Sequence, residues 1–151
     1  MSRKTLGPLV IAVLVLSAPL WARHRHKTDQ PSAVRMEYPS HNMVAVRCQI
    51  SGSGRQYLCV IDSGATRTVI SDRVLKAEGP LADLTTAAGV IHVHQREVSL
   101  TIADGLELKS KAVVESNTMP QDVDILLGQD VLRQFRSVVF DYDKQQVEFH
   151  R

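Results

Sequence analysis

The stretch that decides the fold is Val60-Ile61-Asp62-Ser63-Gly64-Ala65-Thr66. An apolar run that starts at Cys59 leads directly into the Asp62 carboxylate, and such a run predicts a buried strand. The Ser-Gly pair that follows predicts a sharp turn. The sequence therefore presents a carboxylate at the end of a strand, beside a backbone that other groups can approach closely. The simplest interpretation is an Asx-turn, in which Asp62 bonds its own backbone as the strand ends.

A second apolar run lies roughly sixty residues later, in Asp124-Ile125-Leu126-Leu127-Gly128-Gln129-Asp130. A glycine closes this run, and the pattern over residues 130–135 then predicts a short helix. Between the two runs, the strand-like segments 81–86 and 90–98 flank Ala87-Ala88-Gly89, which predicts a hairpin.

In this order, the Asp-Ser-Gly-Ala-Thr loop, the middle hairpin and the Ile-Leu-Leu-Gly run before a helix resemble the retropepsin-like aspartic proteases. The chain looks most like the bacterial, membrane-linked members of that group, and the resemblance covers about residues 40–149. It implies a small closed acid-protease-type barrel with a flap hairpin and one lobe per chain. It also implies that Asp62 is the catalytic residue.

The remaining pattern, taken alone, also predicts an all-β fold. Short apolar or alternating segments separated by tight turns are typical of a small barrel. Besides the hairpin, strands are expected over residues 42–50, 55–61, 68–70, 106–114, 137–142 and 146–149. A further short helix is expected over 72–78, with Ser71 as its N-cap and Gly79-Pro80 after its end.

The composition and the N-terminal segment restrict the class of protein to which the chain can belong. The 151 residues carry a net charge of +2, which is too balanced to indicate a nucleic-acid partner. Residues 1–27 combine a basic start, an apolar run and a basic flank, so we expect a signal peptide or an N-terminal membrane anchor. Residues 28–40 are expected to be a linker and 41–151 a single domain. In a bacterium the domain would then be periplasmic, or anchored in the inner membrane and facing the periplasm.

The two cysteines, Cys48 and Cys59, flank the turn signal Ser51-Gly52-Ser53-Gly54. A two-residue turn at Ser53-Gly54 would place the cysteines opposite each other, where an exported protein could oxidise them. The alternative is that both are small apolar fillers of the sheet.

Peptide hydrolysis by carboxylates requires two of them close enough to share one proton. The chain has one Asp-Ser/Thr-Gly, since Asp104-Gly105 lacks the middle hydroxyl and Asp141-Tyr142-Asp143 lacks the glycine. The second carboxylate would therefore be Asp62 of another copy, across the two-fold axis of a homodimer. The ionised carboxylate would take a proton from water, and the protonated one would polarise the peptide carbonyl.

The resemblance also assigns roles to the neighbours of Asp62. Ser63 would hydrogen-bond across the axis, Gly64 and Ala65 would permit close approach of the substrate, and Thr66 would bond within the loop. Gly128 would lie beneath the loop. The flap tip would be Ala87, Ala88 and Gly89, closing over a peptide or protein substrate.

We expect no cofactor and no metal. His92 and His94 have the i, i+2 spacing of a strand face and could ligate zinc, but no third or fourth ligand lies nearby in the sequence, which favours a solvated surface.

Three hypotheses follow. The first is an aspartic endopeptidase with a dyad of two Asp62 residues. The second is a catalytically silent retropepsin-like domain that dimerises or binds peptides. The third is an unrelated exported β-barrel in which Asp62 only forms an Asx-turn.

Overall fold

The computed structural model describes residues 30–39, 42–86, 89–103, 105–115 and 119–151. The expected signal or anchor segment over residues 1–27 lies outside these ranges, as do Ala87, Ala88 and Asp104. In the part of the chain that is described, no helix has the length and apolar character needed to cross a bilayer.

The described residues form ten strands and one short helix. In chain order they are β1 Ser32–Arg35, β2 Ala45–Ile50, β3 Gln56–Ile61, β4 Val69–Ser71, β5 Leu81–Thr86, β6 Gly89–Ile102, β7 Leu106–Glu115, β8 Ile125–Leu127, α1 Gln129–Leu132, β9 Ser137–Asp141 and β10 Gln146–His150.

Seven strands form one sheet in the order β2-β3-β8-β4-β7-β6-β5, and an additional pairing of β2 with β6 brings six of them into a near-closed ring. β3 pairs with β8 and β4 with β7 in parallel, whereas the other pairs are antiparallel. β5 extends beyond the ring as the partner of the first half of β6. The all-β prediction is confirmed in this coarser form, as a mostly-β chain with a near-closed six-stranded ring and one short helix among the described residues.

A second, three-stranded sheet has the order β1-β10-β9. Its first strand, Ser32–Arg35, lies inside the segment over residues 28–40 that was expected to be a linker. This strand forms by a long-range pairing, in which Ser32 lies opposite Phe149 and Arg35 opposite Gln146. The segment has no clear period of its own, and the C-terminal strand supplies its hydrogen bonds.

The main core joins the two sheets. Phe135 and Phe149 are in ring contact, with centroids 4.9 Å apart, and both pack in the same cluster as buried residues of the ring. The largest fully buried side chains of that cluster are Phe149, Ile70, Leu100, Ile102, Leu108, Ile125 and Leu127. Burial of such side chains supplies the main favourable term in folding.

The helix expected over residues 72–78 is absent, and a single turn takes its place. Ser71 accepts hydrogen bonds as expected of a cap, since its Oγ bonds the Arg73 amide at 3.3 Å and its carbonyl bonds the Val74 amide at 2.9 Å. The segment then reaches Gly79, where φ is +114°, and β5 begins at Leu81.

The β2–β3 hairpin turns two residues earlier than expected. The amide of Ser53 bonds the carbonyl of Ile50 at 3.0 Å, so Ser51 and Gly52 are the central residues of the turn. Gly52 has φ of +83°, which suits glycine at the third position of such a turn. The two strands pair with Gln49 opposite Gln56, so Cys48 lies opposite Tyr57 and not opposite Cys59. The two cysteines are diagonal neighbours on one face, with Cα atoms 6.0 Å apart, and form a buried disulfide.

Candidate active site

Asp62 follows the last residue of β3, at the point where that strand leaves its parallel partner β8. The Asp62 amide still donates to the carbonyl of Leu127 at 3.1 Å, so its backbone belongs to the end of the sheet. Its side chain is half-buried. The parallel β3–β8 pair thus fixes the base of the carboxylate, while the residues after it are free to turn.

The two oxygens of Asp62 have different surroundings. Oδ1 accepts the Gly64 amide at 2.8 Å and the Ala65 amide at 3.3 Å, which is an Asx-turn. Oδ2 accepts no hydrogen bond from any residue in the described ranges. One oxygen therefore holds the loop in shape, and the other remains available to a ligand or to a second carboxylate.

The start of α1 holds the loop from the other side. The Gln129 amide donates to the Ala65 carbonyl at 2.8 Å, and Gln129 Nε2 donates to the Ser63 carbonyl at 2.7 Å. Ser63 and Gly64 are exposed, and Ala65 is half-buried. The exposed tip of the loop is therefore supported from beneath, with the Ser63 side chain toward solvent.

Gly128 lies directly beneath this loop. A Cβ at position 128 would overlap the backbone carbonyl of Arg67 and would lie 2.8 Å from the Thr68 amide nitrogen. Because these neighbours are backbone atoms, a side chain could not be accommodated by rotamer changes alone. Position 128 therefore requires glycine, because two backbone segments are in close contact there.

Asp130 anchors the end of the same loop, and sequence reasoning missed it. Asp130 Oδ1 accepts both the amide and the hydroxyl of Thr68 at 2.8 Å, and Oδ2 accepts the Ser110 hydroxyl at 2.5 Å. Thr68 and Ser110 are buried, so this carboxylate serves a polar network inside the protein. The available signal was a carboxylate two residues after the Ile-Leu-Leu-Gly run, but its partners are distant in sequence.

The hydroxyl that bonds within this region is that of Thr68, whereas Thr66 was expected to have this role. Thr66 is exposed, and its hydroxyl makes no hydrogen bond to the residues that the structure describes. Thr68 Oγ1 donates to Asp130 and accepts the Gly128 amide at 3.2 Å. It therefore links the loop to both the glycine and the helix.

A cleft of about 360 Å³ opens beside Asp62, and we call it the Asp62 cleft. Its floor is the loop and the ends of β4 and β8, and its wall on the other side is the end of β5. The lining residues are Asp62, Gly64, Ala65, Thr66, Arg67, Val69, Leu84, Thr85, Thr86, Glu115 and Leu126.

The hairpin expected between residues 81–86 and 90–98 is present as β5 and β6, with Thr86 opposite Gly89. Two of the three residues expected at its tip, Ala87 and Ala88, lie outside the described ranges. Gly89 is described and has φ of +123°, a conformation that suits glycine. Because Leu84, Thr85 and Thr86 line the Asp62 cleft, the hairpin lies across from the carboxylate.

Asp124 and Asp141 have structural partners. Asp124 Oδ2 accepts the Leu58 amide at 2.9 Å, which ties the start of β8 to β3. Asp141 accepts the Lys144 amide at 2.9 Å in the β9–β10 turn. The hydrogen bond from the Lys144 ammonium, helped by this amide, holds the pKa of Asp141 below its usual range.

His92 and His94 have separate partners. His92 Nδ1 lies 2.7 Å from Asp83 Oδ1 on the exposed face of the hairpin, and His94 Nδ1 lies 2.9 Å from the Gly79 carbonyl. In the described part of the chain, no three His, Cys, Asp or Glu side chains are grouped as metal ligands would be.

No model of a protein family matches the chain, and a search of curated proteins finds no similar sequence. Two half-buried carboxylates line the Asp62 cleft, those of Asp62 and Glu115. Of the two, Asp62 stands in the Asp-Ser-Gly loop, with Oδ1 bound by two amides and Oδ2 without a hydrogen bond from the described residues.

Proposed function

We propose that the protein is an aspartic endopeptidase that hydrolyses peptide bonds with a water activated between two Asp62 carboxylates in a homodimer. The strongest support for this proposal comes from the hydrogen bonds of the Asp62 carboxylate and its position at a cleft. Its Oδ1 is fixed by two amides, and its Oδ2 has no partner among the described residues and lies beside a cleft. A purely structural Asx-turn would need only the first of these features.

The fold around the site supports the same proposal. A near-closed ring of strands, a β5–β6 hairpin facing the Asp62 loop and a glycine beneath that loop are the arrangement expected of a retropepsin-like lobe with a flap. An extended peptide would lie between the hairpin and the loop and would add its backbone to the sheet edges there. Closure of the hairpin would then exclude water from the reaction.

The chemistry follows from the proximity of two like charges. Two carboxylates at hydrogen-bond distance cannot both ionise, so the pair holds one proton over a wide pH range. The ionised member takes a proton from the attacking water, and the protonated member hydrogen-bonds the scissile carbonyl and stabilises the developing negative charge. The dimer also brings the two exposed Ser63 side chains near the axis.

We further propose that the domain acts after export, either free or attached to a membrane by residues 1–27. The buried Cys48–Cys59 disulfide agrees with an oxidising compartment. The basic flank and the apolar run of the first residues support the same location.

The test is a peptide-library digest by the full chain between about pH 3 and pH 7. The catalytic variant is Asp62→Asn, and the matched control is Asp143→Asn, which removes a carboxylate in the exposed β9–β10 turn. We expect cleavage that favours acid pH, is blocked by pepstatin-like hydroxyl inhibitors, disappears in Asp62→Asn and persists in Asp143→Asn. Absence of cleavage by a protein shown to be dimeric would contradict the proposal and favour a peptide-binding domain.

A further inference from the structure

A second cleft, of about 510 Å³, shares a wall with the Asp62 cleft. We call it the basic cleft, and its lining residues are Thr66, Arg67, Lys109, Ser110, Lys111, Gln129, Asp130 and Arg133. Thr66 and Arg67 line both clefts. The two clefts are therefore adjacent, on either side of Thr66 and Arg67.

The lining of the basic cleft holds four cationic side chains and one carboxylate. The carboxylate is Asp130, and both of its oxygens already accept hydrogen bonds from Thr68 and Ser110. The whole chain has a net charge of only +2. The positive charge of the cleft is thus a local concentration and does not follow from the overall composition.

The cations of this cleft have few anionic partners within the described ranges. Arg67 and Lys109 make no ion pair there, and Arg133 Nε donates to the neutral Gln129 side chain at 3.3 Å. Lys111 lies 3.9 Å from Glu97, but both side chains are exposed, and such a surface pair is weak. The four cationic groups are consequently available to an external anion.

We propose that the substrates are acidic peptides, in which carboxylate side chains on one side of the scissile bond bind the basic cleft. This inference rests on the proposed function, because it assigns the substrate class of the same site. A guanidinium such as Arg67 can bind a carboxylate with two parallel hydrogen bonds, and the ammonium groups of Lys109 and Lys111 add charge next to it. A peptide strand advances about 3.3 Å per residue, so the acidic side chains would lie a few residues from the bond that is cut.

The experiment measures binding, so that it does not depend on cleavage. The full chain carrying Asp62→Asn is titrated against two fluorescent twelve-residue peptides that differ only in Glu or Gln at four positions on one side of the centre. We expect the Glu peptide to bind about tenfold more tightly or better at low salt, with the difference much reduced in about 1 M salt. Below about pH 4 the advantage should fall, because the peptide carboxylates become protonated.

Matched variants locate the effect. In the same background, Arg67→Gln and the double change Lys109→Gln with Lys111→Gln should each remove most of the advantage of the Glu peptide. The controls are Arg55→Gln and the double change Arg55→Gln with Lys76→Gln, which remove one and two charges from exposed positions outside both clefts and should leave the advantage unchanged. Circular dichroism and gel filtration of every variant establish that fold and assembly are retained.

Several outcomes would overturn the inference. Equal binding of the two peptides, no binding of either, or equal losses in the control variants would each do so. Tighter binding to vesicles of anionic phospholipid than to the Glu peptide would instead assign the basic cleft to a membrane surface. A change of assembly in Arg67→Gln would assign it to contact between copies. If the acidic peptide binds as expected and the wild-type chain cleaves no peptide, only the proposed catalysis fails.

Discussion

Asp62 and Asp130 lie on two sides of the same loop, and they differ in how many of their carboxylate oxygens the fold engages in hydrogen bonds. Asp130 has both oxygens bonded to groups of Thr68 and Ser110, and those partners are buried. Asp62 has one oxygen bonded to two amides and one without a partner in the described ranges. A carboxylate whose bonding capacity is saturated by the fold contributes to stability, whereas an unsaturated one at a cleft is free to act on a ligand.

The largest effect on stability should come from disturbing the close contact between Gly128 and the backbone of Arg67, which lies in the loop after Asp62. In Gly128→Ala the new Cβ would overlap the Arg67 carbonyl, and we expect a loss of about 3 kcal/mol or more in the free energy of unfolding. Urea unfolding followed by circular dichroism measures it. The control is Gly105→Ala, where φ is +86° but no atom lies within 4 Å of the new Cβ, and the loss should be about 1 kcal/mol. Equal losses in both variants would show that the loop does not pack against Gly128.

The next effect concerns Asp130. Asp130→Ala leaves the Thr68 amide, the Thr68 hydroxyl and the Ser110 hydroxyl without their acceptor, and we expect a loss of about 2–4 kcal/mol. A double-mutant cycle with Thr68→Val tests the cause, because the losses of the two single variants should exceed the loss of the double variant by about 1 kcal/mol. Additive losses would indicate that Asp130 acts through packing or charge alone.

For a substitution at Asp62 we expect a small effect on stability and a large effect on activity. In Asp62→Asn the amide oxygen can still accept the Gly64 and Ala65 amides, so the free energy of unfolding should change by less than about 1 kcal/mol. Peptidase activity should nevertheless fall by about 10² to 10⁴-fold, because Asn cannot exchange a proton with water. A loss of stability as large as that of Asp130→Ala would make Asp62 a second structural carboxylate and would remove the basis of the comparison.

The sequence was sufficient for features whose determinants are local. The apolar run before Asp62, the β5–β6 hairpin and the β9–β10 turn were all placed near their observed positions from composition and turn residues. The same reasoning pointed to Asp62, because it follows an apolar run directly. The place of Gly128 beneath the loop was expected only from the family resemblance.

Features that depend on distant partners could not be predicted in this way. β1 exists because it pairs with β10, more than a hundred residues later. Asp130 gains its role from Thr68 and Ser110, which are 62 and 20 residues away. The register of the β2–β3 hairpin was ambiguous for a different reason, since Gly52 and Gly54 both adopt positive φ and either could have marked the centre of the turn.

The smallest effect on stability should come from a carboxylate that is fully bonded but lies at the surface. Glu37 accepts two hydrogen bonds from Arg47, at 2.8 and 2.7 Å, and these bonds, with the charges of Arg47 and Arg35, hold its pKa below the usual range. A lowered pKa means that the folded state favours the ionised form. Its contribution is therefore complete above the unfolded-state pKa of about 4.3 and is lost as the pH falls through the folded-state value.

Glu37→Gln should consequently cost no more than about 1 kcal/mol at pH 6, because both side chains are partly exposed and screened, and the difference from wild type should be smaller at pH 3 than at pH 6. Urea unfolding at both pH values measures this, with Glu107→Gln as a control whose exposed carboxylate makes no bond within the described ranges. A cost that is as large at pH 3 as at pH 6 would mean that Glu37 stabilises the bridge between the β1 segment and β2 by packing and not by charge. Glu37→Gln at pH 6 could instead destabilise the protein as much as Asp130→Ala does. That result would show that the stabilisation by a carboxylate depends on hydrogen bonds to both of its oxygens and not on its burial.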